Sequence, residues 1–159
     1  MFPLYRGQRI DNKEWLVGNL VVCKPYDLRK WGINLVEPLR TYIRSLNIEW
    51  DNKGRCYRWK EYEVSPESLS MFTNQTDKNN IAIFGSFEID GKMTRGGDIV
   101  LLLGNKHKKY TVKFPEKCNV IWCVNTSGWF LKATNKKHSF GLYKNGIHEI
   151  VGKQLDFKE

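Results

Sequence analysis

The chain has no long apolar run. Its longest, Ile99 to Leu103, has the length of a strand, far below the roughly 18 residues that span a bilayer as a helix. No membrane-crossing helix is expected. Residues 1–10 lack a basic region followed by an apolar stretch, because Arg6 and Arg9 interrupt it, so the sequence predicts a cytoplasmic protein. Cysteine is scarce: four residues, Cys23, Cys56, Cys118 and Cys123, cannot staple 159 residues and are expected as buried thiols. Cys118 and Cys123 stand five apart without the short pairs of a zinc knuckle, so no metal site is expected. The three histidines, His107, His138 and His148, lie in lysine-rich or turn-like surroundings and are expected at the surface. No nucleophile elbow is present. Gly96-Gly97 lacks the Lys-Ser/Thr and following helix of a phosphate cradle, and no cofactor is expected. Repeats and low-complexity linkers are absent too, which leaves one unit over residues 1–159.

What is present is a globular composition, 41% hydrophobic, 13% aromatic and 27% charged, with a net charge of +9 that favours anionic partners. The excess is spread evenly. Residues 1–64 carry 12 basic and 8 acidic side chains and residues 65–159 carry 14 and 9, or +4 and +5, so no basic tail exists.

Strand signals dominate the chain. Trp15, Val17, Leu20 and Val22 mark an early strand in which Gly18 suggests a bulge. Residues 24–38, with Tyr26 and Trp31, read as an irregular loop packing its rings. Leu46, Ile48 and Trp50, then Asp51-Asn52-Lys53-Gly54, then Tyr57 and Trp59 spell a hairpin. Ser65-Pro66-Glu67 opens a helix of one to two turns with Leu69 and Phe72 inward, and the polar stretch Thr73 to Asn80 predicts a loop. Beyond it come short strands at Ile81–Ile89, Asp98–Leu103, Lys109–Phe114, Asn119–Val124, Trp129–Ala133 and Ile147–Val151, separated by glycine turns. Such spacing predicts an all-β fold with one short helix. Three sub-lobes follow: an N-terminal β lobe at 1–64, a helix and loop at 65–94, and a small barrel or sandwich at 95–152 packed on the first.

Glu67, Asp77 and Asp98 are the acids best placed for acid–base work, yet each has a structural role in view. Glu67 suits a helix start, Asp77 an Asx turn, and Asp98 a tie to the amides after the glycine pair. Lys106, Lys108, Lys109 and Lys113 crowd one hairpin and Lys136 and Lys137 the next, interleaved with Tyr110, Trp122, Trp129 and Phe130. That is an anion- or nucleic-acid-binding pattern. Alternation, however, sends Trp122 and Trp129 toward the core.

Four motifs in register, spread over essentially the whole chain, resemble the YopX family of phage and prophage proteins. They are Arg6-Gly7 with Asp11 to Trp15 and Gly18-Asn19-Leu20; Val64 to Ser68 with Met71-Phe72-Thr73 and Thr76 to Asn79; Gly91-Lys92 through Gly97-Asp98-Ile99-Val100; and His148 to Gly152. The chain departs from the family pattern at Asn74-Gln75, at Lys153, and in roughly ten extra residues from Asn80 to Asp90. The resemblance implies a mainly β structure with an SH3-like barrel in the C-terminal half, and brings no catalytic residue or cofactor. The resulting expectation is a phage- or prophage-encoded accessory protein, not an enzyme, acting in the host cytoplasm by protein contacts or self-association. Nucleic-acid binding through the lysine hairpins is the first alternative, and an enzyme or a regulator of a host enzyme the second.

Overall fold

The computed structural model describes residues 3–24, 27, 29, 32, 38–51, 54–105, 116–123, 125, 127–134, 139–142 and 146–156. The fold is all-β. Thirteen strands are described: β1 (Tyr5–Gln8), β2 (Trp15–Cys23), β3 (Arg40–Asp51), β4 (Gly54–Val64), β5 (Ser70–Thr76), β6 (Ala82–Gly85), β7 (Glu88–Ile89), β8 (Lys92–Met93), β9 (Asp98–Asn105), β10 (Glu116–Cys123), β11 (Gly128–Ala133), β12 (Ser139–Gly141) and β13 (Gly146–Lys153). They form a six-stranded sheet of order β4-β3-β2-β1-β5-β6, a five-stranded sheet of order β12-β11-β10-β9-β13, and the β7–β8 hairpin. The pairings described leave both sheets open. No helix among these residues is long and apolar enough to cross a membrane.

The first sheet curls. Arg9 bridges Val64, and Ser65 N–H reaches the Gln8 carbonyl at 2.9 Å, so the end of β1 runs beside the end of β4. Inside the curl sit Ile43, Val64 and Leu69, with Tyr5, Leu16, Leu20, Phe87 and Ile89 packed against them. At Gly18, where a bulge was expected, β2 changes neighbours: Gly18 is the last residue paired with β1, opposite Tyr5, and Asn19 the first paired with β3, opposite Arg44, with no register shift in either ladder. Glycine is needed there for another reason: a Cβ would stand 2.4 Å from the Arg44 carbonyl oxygen.

The expected helix shrinks to one 3₁₀ turn, Pro66–Ser68, because Leu69 already has extended backbone (ψ 142°) and dives into the core. Ser65 makes no side-chain cap. Thr73 to Thr76, expected in a loop, lie in β5, although only Thr76 pairs with β6, at Ala82: the register shifts between Phe72 and Thr76, with Asn74 in left-handed backbone (φ 62°). The stretch Ile81–Ile89 breaks into two strands at Ser86. The Ser86 backbone crosses to the second sheet, donating to Val120 O at 2.9 Å and accepting from Trp122 N–H at 2.8 Å. Its buried hydroxyl takes the Gly97 amide and donates to Gln154 at the closing 3₁₀ turn, Gln154–Asp156.

The second sheet buries Ile83, Val100, Leu102, Cys118, Val120, Leu131, Ala133 and Leu142 in one cluster. Its last strand has a covered edge. Lys78 N–H donates to His148 O at 2.8 Å and Ile150 N–H to Asp77 Oδ2 at 3.4 Å, so the 77–81 loop occupies hydrogen-bonding groups that an edge strand would present to other chains. Of the cysteines expected as buried, Cys118 is buried, Cys123 half-buried and Cys23 exposed, since Cys23 ends its strand beyond the core. The side chain of Cys56, the ring-packing loop around Tyr26 and Trp31, and the strand Lys109–Phe114 lie outside the described residues.

Candidate functional site

Lys106, Lys108, Lys109, Lys113, Lys136 and Lys137 all lie outside the described residues, as do Tyr110, His107 and His138. Neighbouring positions show how their sheet is laid out. Register puts Cys118, Val120 and Trp122 on one face with Ala133, Leu131 and Trp129, and Lys117 and Lys132 on the other. Rings and cations are therefore separated. Trp122 and Trp129 meet edge to face, centroids 5.1 Å apart at 70°, half-buried on the core side. Among the described rings of these strands, only Phe130 shares the lysine face.

The three acids do not converge. Asp77 makes the expected Asx turn, its Oδ1 accepting from Asn79 N–H (2.8 Å) and Ile81 N–H (3.0 Å). Burial would raise its carboxyl, but the amides of Ile81, Asn79 and Ile150 outweigh that and hold it below the usual carboxylate range. Asp98 takes a different role from the expected turn tie. One oxygen accepts the Phe84 amide at 2.8 Å and the other meets Arg6 Nη2 at 2.7 Å, with Asp98 only 1% exposed. The same Arg6 nitrogen donates to Gly96 O at 2.7 Å, and its guanidinium lies 4.5 Å from the Phe84 ring and 5.1 Å from that of Trp15. Burial pushes the Asp98 carboxyl up against the pull of Arg6. The pair ties the first sheet to the second, and Gly96 permits the approach, since a Cβ there would sit 1.7 Å from Ser68 O.

His148 corrects the surface expectation: it is 2% exposed, burial lowers its pKa, and its Nε2 has no partner. Its turn-like surroundings suggested exposure, but the 77–81 loop lies over β13. Among the described residues, no three of His, Cys, Asp and Glu are grouped to hold a metal ion.

Among the described residues, a cleft of about 650 Å³ opens between the start of β3, the 3₁₀ turn and the β7–β8 hairpin. Pro38, Leu39, Pro66, Ile89 and Met93 give it apolar walls, and Ser65, Glu67, Asp90, Lys92, Thr94 and Arg95 complete the lining. Local sequence builds each wall. Asp90 (φ 50°) and Gly91 (φ 73°) both adopt left-handed backbone, the geometry of a tight two-residue hairpin turn. Thr94 fixes the hairpin's base: its N–H donates to Phe87 O and its hydroxyl accepts the Phe87 amide. Across the cleft, Glu67 meets Arg95 at 3.3 Å, and Arg95 N–H also donates to Glu67 O. Glu67 thus works as a rim ion pair, beyond its expected place at a helix start. Sequence reading missed Met93 and Arg95. The signal was there in two turn motifs, Ser65-Pro66-Glu67 and Asp90-Gly91, but nothing local said that the fold would set them face to face.

No protein-family model, no curated protein and no solved structure matches this chain.

Proposed function

We propose that this protein acts by binding another protein, with the cleft between the 3₁₀ turn and the β7–β8 hairpin receiving a short extended segment of it. The observation that carries the reading is the make-up of that cleft: prolines and aliphatic side chains along the walls, a charged rim, and Met93 left 49% exposed at its mouth. A groove with apolar walls and a polar, charged rim suits an apolar side chain anchored by its backbone. Methionine fits such a role because its flexible thioether adapts to the shape it meets. On this reading the protein is not an enzyme. The YopX resemblance supports a phage- or prophage-encoded accessory protein of the host cytoplasm. Support for an SH3-like second half comes from its strand order, a meander β9-β10-β11-β12 whose returning strand β13 pairs with β9.

The test is site-specific photo-crosslinking in prophage-bearing cells. A crosslinking residue in place of Met93 is expected to capture a discrete partner that the same residue at exposed Lys13 does not, and Glu67→Lys is expected to reduce the yield. Equal capture from both positions would sink the reading. A second reading, nucleic-acid binding, draws on exposed Lys117 and Lys132 sharing a face with Phe130. It predicts retention on single-stranded DNA that falls steeply with salt, and elution below about 150 mM counts against it.

A further inference from the structure

The β7–β8 hairpin turns unpaired backbone toward the cleft. Its two-residue turn at Asp90-Gly91 makes Ile89↔Lys92 the hydrogen-bonded closing pair, so in the next pair, Glu88↔Met93, the amides and carbonyls point away from each other. Thr94 turns back into the hairpin, its N–H donating to Phe87 O at 2.8 Å. Arg95 N–H then points outward and donates to Glu67 O on the 3₁₀ turn at 2.6 Å. Alternation along the strand therefore aims the Met93 N–H and carbonyl the same way as the Arg95 amide, into the cleft that Met93, Arg95 and Glu67 line. Among the described residues, β8 pairs only with β7. A donor and an acceptor on one residue, both facing the cleft, are half of a strand ladder.

Charge and shape narrow what completes it. Glu67, Asp90, Lys92 and Arg95 set two acids against two bases around the rim, so the cleft has no net charge to draw a polyanion or a charged peptide. Pro38, Leu39 and Pro66 keep the walls apolar. Directly opposed residues of paired strands share a face, so the residue that joins Met93 lays its side chain beside the exposed thioether. It must also carry an N–H, which excludes proline.

We propose that the occupant of the cleft is an uncharged, apolar segment of another protein that pairs with β8 as a third strand and exchanges backbone hydrogen bonds with Met93. This pairing rests on the cleft being a protein-binding site and gives that site its mode of recognition. The partner is selected by an extended backbone with unpaired amides and by one apolar side chain, with no charged motif.

Two capped pentapeptides test this on the full chain: acetyl-Thr-Val-Leu-Val-Thr-amide and a twin N-methylated at its three central residues, followed through amide chemical shifts. The parent peptide is expected to shift Met93 and Leu39 saturably and to slow hydrogen exchange at the Met93 amide. Methylation removes the backbone donors and should weaken binding at least about fivefold. Met93→Pro keeps an apolar side chain where the hairpin does not use the N–H, and should weaken the Leu39 response by a similar factor, whereas Met93→Leu should bind like the wild type. If circular dichroism shows that Met93→Pro disturbs the fold, the two peptides on the wild type decide alone. Equal binding of both peptides, read at Leu39, leaves the cleft a protein-binding site and overturns the strand pairing. No shift at Met93 or Leu39 up to millimolar parent peptide overturns it too, and photo-crosslinking from position 93 then reports separately whether the cleft receives a partner. Met93 shifts that follow protein concentration without peptide would assign the edge to a second copy and equally overturn it.

Discussion

The two sheets solve the same burial problem with unequal means. The second sheet packs eight buried residues into one contiguous cluster and has its last edge covered by the 77–81 loop. Among the described residues the first sheet divides its burial: Ile83 on β6 joins the larger cluster, while Ile43, Val64 and Leu69 form a small one with Phe87 and Ile89 packed against it, and Val17 and Trp59 face outward. A cluster of three buried residues is thin support for strands β1 to β4. The first sheet therefore leans on the second, through Arg6–Asp98 and the Ser86 crossing, and offers its remaining apolar surface outward.

The largest break in that contrast should come from Arg6→Ala. It strands the buried Asp98 carboxylate and is expected to cost roughly 3–5 kcal/mol, with hydrogen exchange rising more in β1 and β2 than in β9 and β10. Uniform acceleration would mean that the first sheet does not depend on the tether. Next, Leu131→Ala in the larger cluster should lower stability by about 2–5 kcal/mol, read as a shifted urea midpoint at constant slope. Asp77→Ala removes a carboxylate that receives three amides and should cost about 1–3 kcal/mol, felt first in the 77–81 loop and β13.

The pH dependence is smaller and has a definite sign. His148 has a folded pKa below its ordinary 6.5, so the unfolded chain takes up the proton first. Stability from this group is complete above pH 6.5 and declines as pH falls from there toward the folded pKa, by at most about 1.4 kcal/mol per pH unit. Urea titrations at stepped pH should show that slope in the wild type and a flatter one in His148→Gln. Smallest of all, Val17→Thr on the outward face of the first sheet should change stability by less than about 0.5 kcal/mol.

Local pattern carried much of the fold. Alternation in Leu46, Ile48 and Trp50 against Tyr57 and Trp59 predicted the hairpin that β3 and β4 form, and the strands around Asp98, Asn119, Trp129 and Ile147 lie where their apolar runs put them. The turn at Asp77 was legible because its side chain bonds amides two and four residues away. What escaped was long-range. Arg6 and Asp98 are 92 positions apart, and an arginine in a short strand carries no mark of its partner. His148 is buried by a loop some 70 positions earlier, so its own neighbours suggested the surface. Thr73 to Thr76 read as loop because their own propensity is polar; the strand carries through them across a register shift, between the pairs Phe72↔Phe84 and Thr76↔Ala82. The cleft was invisible in the same way, each wall recognisable as a turn and their opposition set only by the fold.

The measurement closest to the central claim, that the first sheet leans on the second through Arg6–Asp98, is the double-mutant cycle of Arg6→Ala and Asp98→Asn read by urea unfolding. The account predicts a coupling energy of at least about 0.5 kcal/mol between the two positions. Additive effects of the two substitutions would contradict it.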